Sequence, residues 1–171
     1  SNYLKQKLKQ TIKFINSEFL VKNNLLGSAY DADSDGIEGK YYVWKYQELK
    51  DILGSELDLL KNKYQISEEG NFEGSNILVE TIKPTINQNP KILEIEKKLL
   101  EIRKKRNKPF FDDKSQTDLN AFWIYVNLYS SIILNDKSLF EKSKKNIENL
   151  NDIYENKLFH CYNDNKQIDV F

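Results

Sequence analysis

Residues that build disulfides, metal sites and proton relays are scarce in this sequence, whose 171 residues include one cysteine, one histidine and no methionine. The single cysteine, Cys161, excludes an internal disulfide framework and a zinc site made of several cysteines. It favours a reduced, cytoplasmic protein, because disulfides accumulate in secreted ones. No second histidine accompanies His160 to activate this thiol, so we expect both side chains to serve packing rather than catalysis. Without a methionine, Ser1 is not a translation start, and we expect the chain to be a fragment.

An excess of charge of either sign is also missing, because 26 basic residues balance 26 acidic ones. This balance predicts no broad attraction to nucleic acid or to an anionic membrane surface. No apolar run approaches the roughly 18 residues of a membrane-spanning helix. The basic run at residues 103–106 ends a predicted helix, where cations suit the negative end of the helix dipole. We therefore expect neither a nucleic-acid nor a membrane partner.

Hydrophobic periodicity predicts one mainly α domain, or part of a larger one, over residues 1–171. The longer helices are predicted over residues 3–20, 91–107, 117–134 and 137–154, and shorter ones over 46–53 and 56–64. Short strands are expected over residues 40–44 and 76–80, and residues 158–170 are expected to form a β-hairpin. The helix over 117–134 carries so much apolar surface that we expect it to be covered on more than one side.

The most informative segment is an acidic loop, in which Asp31, Asp33, Asp35 and Glu38 precede a predicted aromatic strand. Neighbouring carboxylates repel one another, so such a cluster needs a cation, a cage of hydrogen bonds or a solvated turn. The alternating acids match the opening of a calcium loop, but the twelfth position is Tyr42 instead of the required glutamate. A looser cation site and a loop whose aspartates cap backbone amides both remain open.

Two further polar segments are candidates for chemistry. Asp112, Asp113 and Lys114 lie in a segment predicted to be irregular, where paired carboxylates beside a lysine form either an acid–base site or a hub of ion pairs. Residues 71–76 form a polar turn, which is either part of a site or a connector anchored by Phe72.

Taken in order, these segments are similar to the motifs of one family. Residues 28–44 resemble the signature SAxDADSxGxEGxFYVW, and residues 70–78 resemble GNFEGxNIL. Residues 99–121 resemble LLxxRxxRxxPxxDDKxLTxWNG, although Leu119 stands where that pattern has tryptophan and Ala121 where it has glycine. These motifs resemble the spermatogenesis-associated, thioredoxin-domain-containing family, whose bacterial members are large cytoplasmic proteins.

The resemblance implies a particular fold. Family members carry a thioredoxin-like domain followed by an α/α toroid of six helical hairpins, akin to glycosidases and sugar epimerases. The present chain resembles only part of the toroid and contains no thioredoxin-like part. The expected fold is therefore a partial, six-hairpin-glycosidase-like α/α toroid with short β-hairpins between its helices. A partial toroid leaves an apolar face uncovered, which implies self-association or contact with the missing remainder of the toroid.

The first functional hypothesis is a carbohydrate-active enzyme, which uses carboxylate acid–base chemistry on a sugar-like small molecule and is incomplete as a catalyst in this chain. Asp112 or Asp113 is the expected proton donor, and Asp31 or Asp33 is the expected base or substrate ligand. Glycoside hydrolysis needs two carboxyl groups roughly 5 to 10 Å apart across a cleft. We expect no cofactor and no metal ion. The expected substrate-binding residues are Trp44, Asn71, Glu73, Lys114 and Asn120.

The alternative hypothesis is a non-catalytic interaction or self-association module. In that case the acidic loops brace the connections between helices, and an uncovered helix face binds a partner or a second copy of the chain. Aspartates bonded to neighbouring protein groups would favour this alternative.

Overall fold

The computed structural model describes residues 1–81, 89–154, 159–163 and 166–168, and the fold is mainly α with short antiparallel strand pairs. The helices are α1 (Asn2–Glu18), α2 (Tyr46–Leu53), α3 (Leu57–Lys61), α4 (Pro90–Arg103), α5 (Thr117–Leu134) and α6 (Lys137–Tyr154). The strands are β1 (Ala29–Tyr30), β2 (Asp33–Ser34), β3 (Ile37–Glu38), β4 (Tyr64–Gln65), β5 (Val79–Glu80), β6 (Phe111–Asp112), β7 (Ser115–Gln116), β8 (Cys161–Asn163) and β9 (Lys166–Ile168). Among the described residues, no helix has both the length and the apolar character that crossing a membrane requires.

The chain divides into two compact units. The first unit contains Ser1–Tyr30 and Phe111–Phe171, and the second contains Asp31–Phe110. The backbone N–H of Asp31 donates to the carbonyl of Phe110 at 2.8 Å, so the two ends of the second unit lie side by side.

The first unit is built around α1, α5 and α6, whose residues Ile12, Trp123 and Leu139 pack together with Leu26 from the connection after α1. In this unit β1 pairs with β6, placing Ala29 opposite Asp112, and β7, β8 and β9 form an antiparallel sheet. Buried Asn120 ties α5 to the connection after α1. Its amide oxygen accepts from the N–H of Leu26 at 2.7 Å, and its amide nitrogen donates to the Leu26 carbonyl at 3.0 Å.

The second unit packs α2, α3 and α4 around an apolar cluster. A buried ion pair flanks this cluster, with Lys63 Nζ at 2.5 Å from Glu96 Oε1. The hydroxyl of Tyr64 donates to the same carboxyl oxygen at 2.7 Å. Burial and the neighbouring Glu96 carboxylate both raise the pKa of Tyr64 well above its usual value of 10.0. The buried apolar residues of the cluster are Trp44, Leu49, Leu53, Leu57, Leu60, Ile95 and Leu99.

Several predicted elements are confirmed, and the bounds predicted for α2, α5 and α6 coincide with the observed ones. The predicted strand over residues 40–44 is wrong, because the N–H groups of Tyr42 and Val43 turn back to the carbonyl of Gly39 at 2.7 and 3.1 Å. The segment predicted to be irregular before α5 contains β6 and β7. The predicted C-terminal hairpin is present as β8 and β9, and its turn at residues 164–165 lies outside the described residues.

Candidate functional site

The acidic loop of the second unit is a tight β-hairpin. Strands β2 and β3 pair so that Ser34 lies opposite Ile37, and Asp35 and Gly36 form the two-residue turn between them. Both turn residues have positive φ, 53° and 71°, as a type I′ hairpin turn requires. The Asp-Gly pair in the sequence is a known signal for this turn, and the sequence analysis did not use it.

Neighbouring protein groups compensate part of the charge of this hairpin. Asp35 accepts hydrogen bonds from Lys40 Nζ at 2.8 Å and from Asn107 Nδ2 at 3.0 Å, and these bonds lower the pKa of Asp35 below its usual range. Asp31 accepts a long hydrogen bond from the N–H of Asp33 at 3.4 Å. The bond of Asp31 is to a backbone amide, as the capping interpretation expects, whereas both bonds of Asp35 are to side chains. Over residues 1–81, 89–154, 159–163 and 166–168, no group of three or more His, Cys, Asp or Glu side chains is arranged to hold a metal ion.

A second hairpin of the same kind lies at residues 72–75. Phe72 and Ser75 form an antiparallel bridge, and the turn residues Glu73 and Gly74 have φ values of 46° and 71°. Glutamate rarely adopts positive φ, because its Cβ then approaches the backbone. Gly70 fixes the base of the hairpin, since a Cβ there would lie 2.3 Å from the carbonyl oxygen of Ser75. Asn71 supports it too, accepting from the N–H of Ile77 at 2.7 Å and donating to its carbonyl at 3.0 Å.

The tips of the two hairpins line one cavity of about 500 Å³, which we call the hairpin pocket. Asp35 and Glu38 come from the first hairpin, and Phe72 and Glu73 come from the second. The half-buried ring of Phe72 lies against the first hairpin, since a Cβ added to Gly39 would lie 3.4 Å from this ring. The pocket thus combines carboxylates with apolar walls, whose other members include Ile37, Tyr41 and Val43.

Arg106 forms one side of the hairpin pocket, and the protein binds both terminal nitrogens of its guanidinium. Nη1 donates to the carbonyls of Tyr41 and Val43 at 3.0 and 2.8 Å, and Nη2 donates to Glu48 Oε1 at 2.8 Å. The guanidinium also lies over the ring of Trp44, which is only 2 % exposed. Arg106 and Trp44 therefore stabilise the wall of the pocket. A direct contact of Trp44 with substrate stays a prediction.

The Asp112–Lys114 segment belongs to the first unit and forms a hub of polar bonds. Asp112 accepts from the N–H of Lys114 at 3.2 Å and lies 3.1 Å from its Nζ. Asp113 accepts from Asn163 Nδ2 at 3.0 Å, and Ser28 Oγ donates to the carbonyl of Lys114 at 2.6 Å. The segment thus contains one ion pair, between Asp112 and Lys114, while Asp113 is bonded to a neutral amide.

The four candidate catalytic aspartates are divided between the units, with Asp112 and Asp113 in the first and Asp31 and Asp33 in the second. In the described part of the chain, no hydrogen bond or ion pair engages the Asp33 carboxylate. The catalytic role of all four carboxyls stays a prediction. The roles of Asn120 and Lys114 as substrate ligands also stay predictions. Asn120 is only 2 % exposed, and its side-chain amide is hydrogen-bonded to Leu26.

A surface that the sequence analysis missed lies on α5. The helix packs against both α1 and α6, as its broad apolar surface predicts, but one side stays uncovered, where Phe122, Tyr125, Tyr129 and Ile132 are 64, 62, 60 and 75 % exposed. We call these four residues the α5 aromatic face. The rings of Tyr125 and Tyr129 stack nearly parallel, with centroids 6.3 Å apart.

The buried side of α5 is instead partly polar. Asn127 donates to the carbonyl of Trp123 at 3.0 Å, and Ser131 donates to that of Leu128 at 2.6 Å. The hydroxyl of Ser131 is satisfied in this way, whereas the buried amide oxygen of Asn127 has no hydrogen-bond partner among the described residues. The recurrence of asparagine and serine at helical spacing is the sequence signal that marks this side; its buried polar members are Asn120, Asn127, Ser130 and Ser131.

Comparison with known proteins gives no family for this chain. No protein-family model matches it, and no curated protein matches it significantly. The resemblance described above is therefore carried by the motifs alone.

Proposed function

We propose that the second unit binds a saccharide-like small molecule in the hairpin pocket, as part of a carbohydrate-active protein. The observation that carries this proposal is a convergence of three separate sequence motifs on one cavity. Glu38 belongs to the first motif, Phe72 and Glu73 belong to the second, and Arg106 belongs to the third. A cavity of about 500 Å³ falls within the range of small-molecule sites.

The chemistry of the lining suits a polyhydroxylated ring. The ring of Phe72 offers an apolar face to the C–H groups of a sugar, and carboxylates accept the protons of its hydroxyl groups. In the described part of the chain, no hydrogen bond or ion pair engages the carboxylates of Glu38 and Glu73, so both can serve a ligand. Asp35 and Arg106 are already bonded to the protein and hold the shape of the pocket.

This proposal assigns the acid–base pair of the carbohydrate-active hypothesis to different residues. Asp112 and Asp113 do not line the hairpin pocket, whereas Glu38 and Glu73 line it together. Glycoside hydrolysis generally requires two carboxyl groups that face the same cavity. Glu38 and Glu73 are therefore the carboxyls to test first for a catalytic role, after binding has been measured.

The architecture in this proposal is a partial α/α toroid, and its support is the pairing of α5 with α6. Asn135 and Asp136 alone join these two helices, which pack against each other. Asn135 has a φ of 52°, the left-handed conformation that ends a helix sharply. Such a helical hairpin is the repeating unit of a toroid. A cytoplasmic location also belongs to this proposal and is supported by the free, buried Cys161.

Saccharide binding is tested by thermal unfolding of the chain with a panel of mono- and oligosaccharides at millimolar concentration. A sugar that binds the folded state raises Tm, with a stabilisation of about 1.4 kcal/mol at ten times its Kd. We expect Glu73→Gln and Phe72→Ala to abolish this shift. Glu69→Gln removes an exposed carboxylate outside the pocket and should leave the shift unchanged. The absence of a Tm shift with every sugar, or a shift that survives Glu73→Gln, rejects the proposal.

A further inference from the structure

The α5 aromatic face has the properties of a protein interface. Its members are spaced by three, four and three residues, so they form one stripe along the helix. Asp118 is the one charged residue of α5 and lies one turn before Phe122, at the end of the stripe. Apart from the two tyrosine hydroxyls the stripe is apolar, and a contiguous exposed surface of this kind marks an interaction site.

The order of residues along the stripe is symmetric. Phe122 and Ile132 lie five residues to either side of position 127, and Tyr125 and Tyr129 lie two residues to either side. When two copies of α5 pack antiparallel about a twofold axis at this position, each Tyr125 meets Tyr129 of the other copy. Each Phe122 then meets Ile132 of the other copy, so a large flat ring faces a smaller branched side chain. This self-complementarity is what a twofold interface requires, because the same patch must fit itself.

The size of the face is compatible with a weak dimer. An aromatic side chain offers roughly 150–250 Å². At the observed exposures, the four residues therefore present on the order of 500 Å² of mostly apolar surface. A standard interface buries about 800 Å² on each partner, so the stripe supplies more than half of that area. The neighbouring residues Ala121 and Ile133 add area at its edge. Because the chain has no net charge, charge repulsion between two copies does not oppose this pairing.

We propose that the α5 aromatic face is a homodimer interface, in which two copies of α5 pack antiparallel about position 127. Because the central area is modest, the expected Kd is on the order of micromolar. This association is independent of the hairpin pocket, which lies in the other unit.

The first test is sedimentation of the whole chain over a concentration series from about 1 to 500 μM, a range that brackets the expected micromolar Kd. We expect a reversible monomer–dimer equilibrium, and Tyr125→Lys should raise its Kd at least tenfold. Leu4→Lys is the matched control, since Leu4 is 65 % exposed on α1 and outside the face. A chain that is monomeric throughout overturns the proposal, and so does a dimer that Tyr125→Lys leaves intact. Circular dichroism of each variant checks that the fold is retained.

The second test examines the antiparallel arrangement by mixing variants. Tyr125→Lys and Tyr129→Glu should each dimerise at least tenfold more weakly alone than the natural chain does, whereas their equimolar mixture should form a tighter heterodimer. In that heterodimer one Lys–Glu pair replaces one Tyr–Tyr pair, and the other Tyr–Tyr pair is retained. Tyr125→Lys mixed with Tyr125→Glu should not associate. Association in this second mixture, or none in the first, overturns the antiparallel pairing.

Discussion

The guanidinium carbon of Arg106 lies 4.0 Å from the ring centroid of Trp44. At this distance the cation covers the face of an indole that is otherwise buried. The same guanidinium binds two carbonyls of the turn at residues 39–43 and the carboxylate of Glu48. A single side chain thus fixes the turn, the aromatic core and the start of α2, and the rear of the hairpin pocket depends on it.

Arg106→Lys should destabilise the chain by about 2 to 3 kcal/mol, because an ammonium cannot reproduce the planar fork or its stacking on Trp44. Urea unfolding, followed by tryptophan fluorescence, measures this change in the free energy of unfolding. Lys105→Ala changes an exposed neighbour and should cost less than about 0.5 kcal/mol. Equal effects of the two substitutions would show that the Arg106 contacts contribute little.

Glu73→Gly should leave the chain as stable as the natural one or stabilise it by about 0.5 kcal/mol, while abolishing saccharide binding. Glycine relieves the positive φ of this position, although it also adds freedom to the unfolded chain. Glu69→Gly, at a position with ordinary φ, should give no such gain. Thermal unfolding with and without sugar measures both properties. Marked destabilisation by Glu73→Gly would mean that this glutamate serves the fold.

The free energy of unfolding should decrease at acidic pH, because the carboxylate of Asp35 becomes protonated. The hydrogen bond from Lys40 and then that from Asn107 lower the pKa of this carboxyl in the folded state below its usual 3.8. Its contribution is therefore complete above pH 3.8, the value in the unfolded chain, and is lost as the pH falls through the lowered pKa. Asp35→Asn should flatten the dependence of Tm on pH between about 5 and 2, a window that spans both states of the carboxyl. The control Glu94→Gln should keep the slope of the natural chain, and an unchanged slope in Asp35→Asn contradicts this assignment.

Local sequence patterns predicted the helices well, because their amphipathic spacing is a property of neighbouring residues. The same approach assigned residues 40–44 to a strand on aromatic content, and the positive φ of Gly39 prevents it by starting a turn. It also placed the apolar residues of α5 in the interior. The buried side of α5 holds Trp123 and Ile124 beside small polar residues such as Asn127, so apolar content alone does not identify it.

The candidate site was harder to predict, since it brings together residues far apart in the chain. The sequence marked Glu73 and the acidic loop, but no local pattern shows that Glu73, Glu38 and Arg106 line one cavity. It also favoured aspartates over Glu38 as acid–base candidates. Asp35 and Asp113 accept hydrogen bonds from Asn107 and Asn163, which are distant from them in sequence, so only the folded chain reveals these two bonds.

The hydrogen bond between Asp31 and Phe110 has a practical meaning for the organisation of the chain. A segment whose entry and exit adjoin can be excised from a gene and expressed alone, or fused end to end and reopened elsewhere. The stretch from Asp31 to Phe110 is therefore a continuous segment inserted into the first unit, whose own chain is interrupted once. Exchange of that segment would replace every residue that lines the hairpin pocket and would keep every residue of α5.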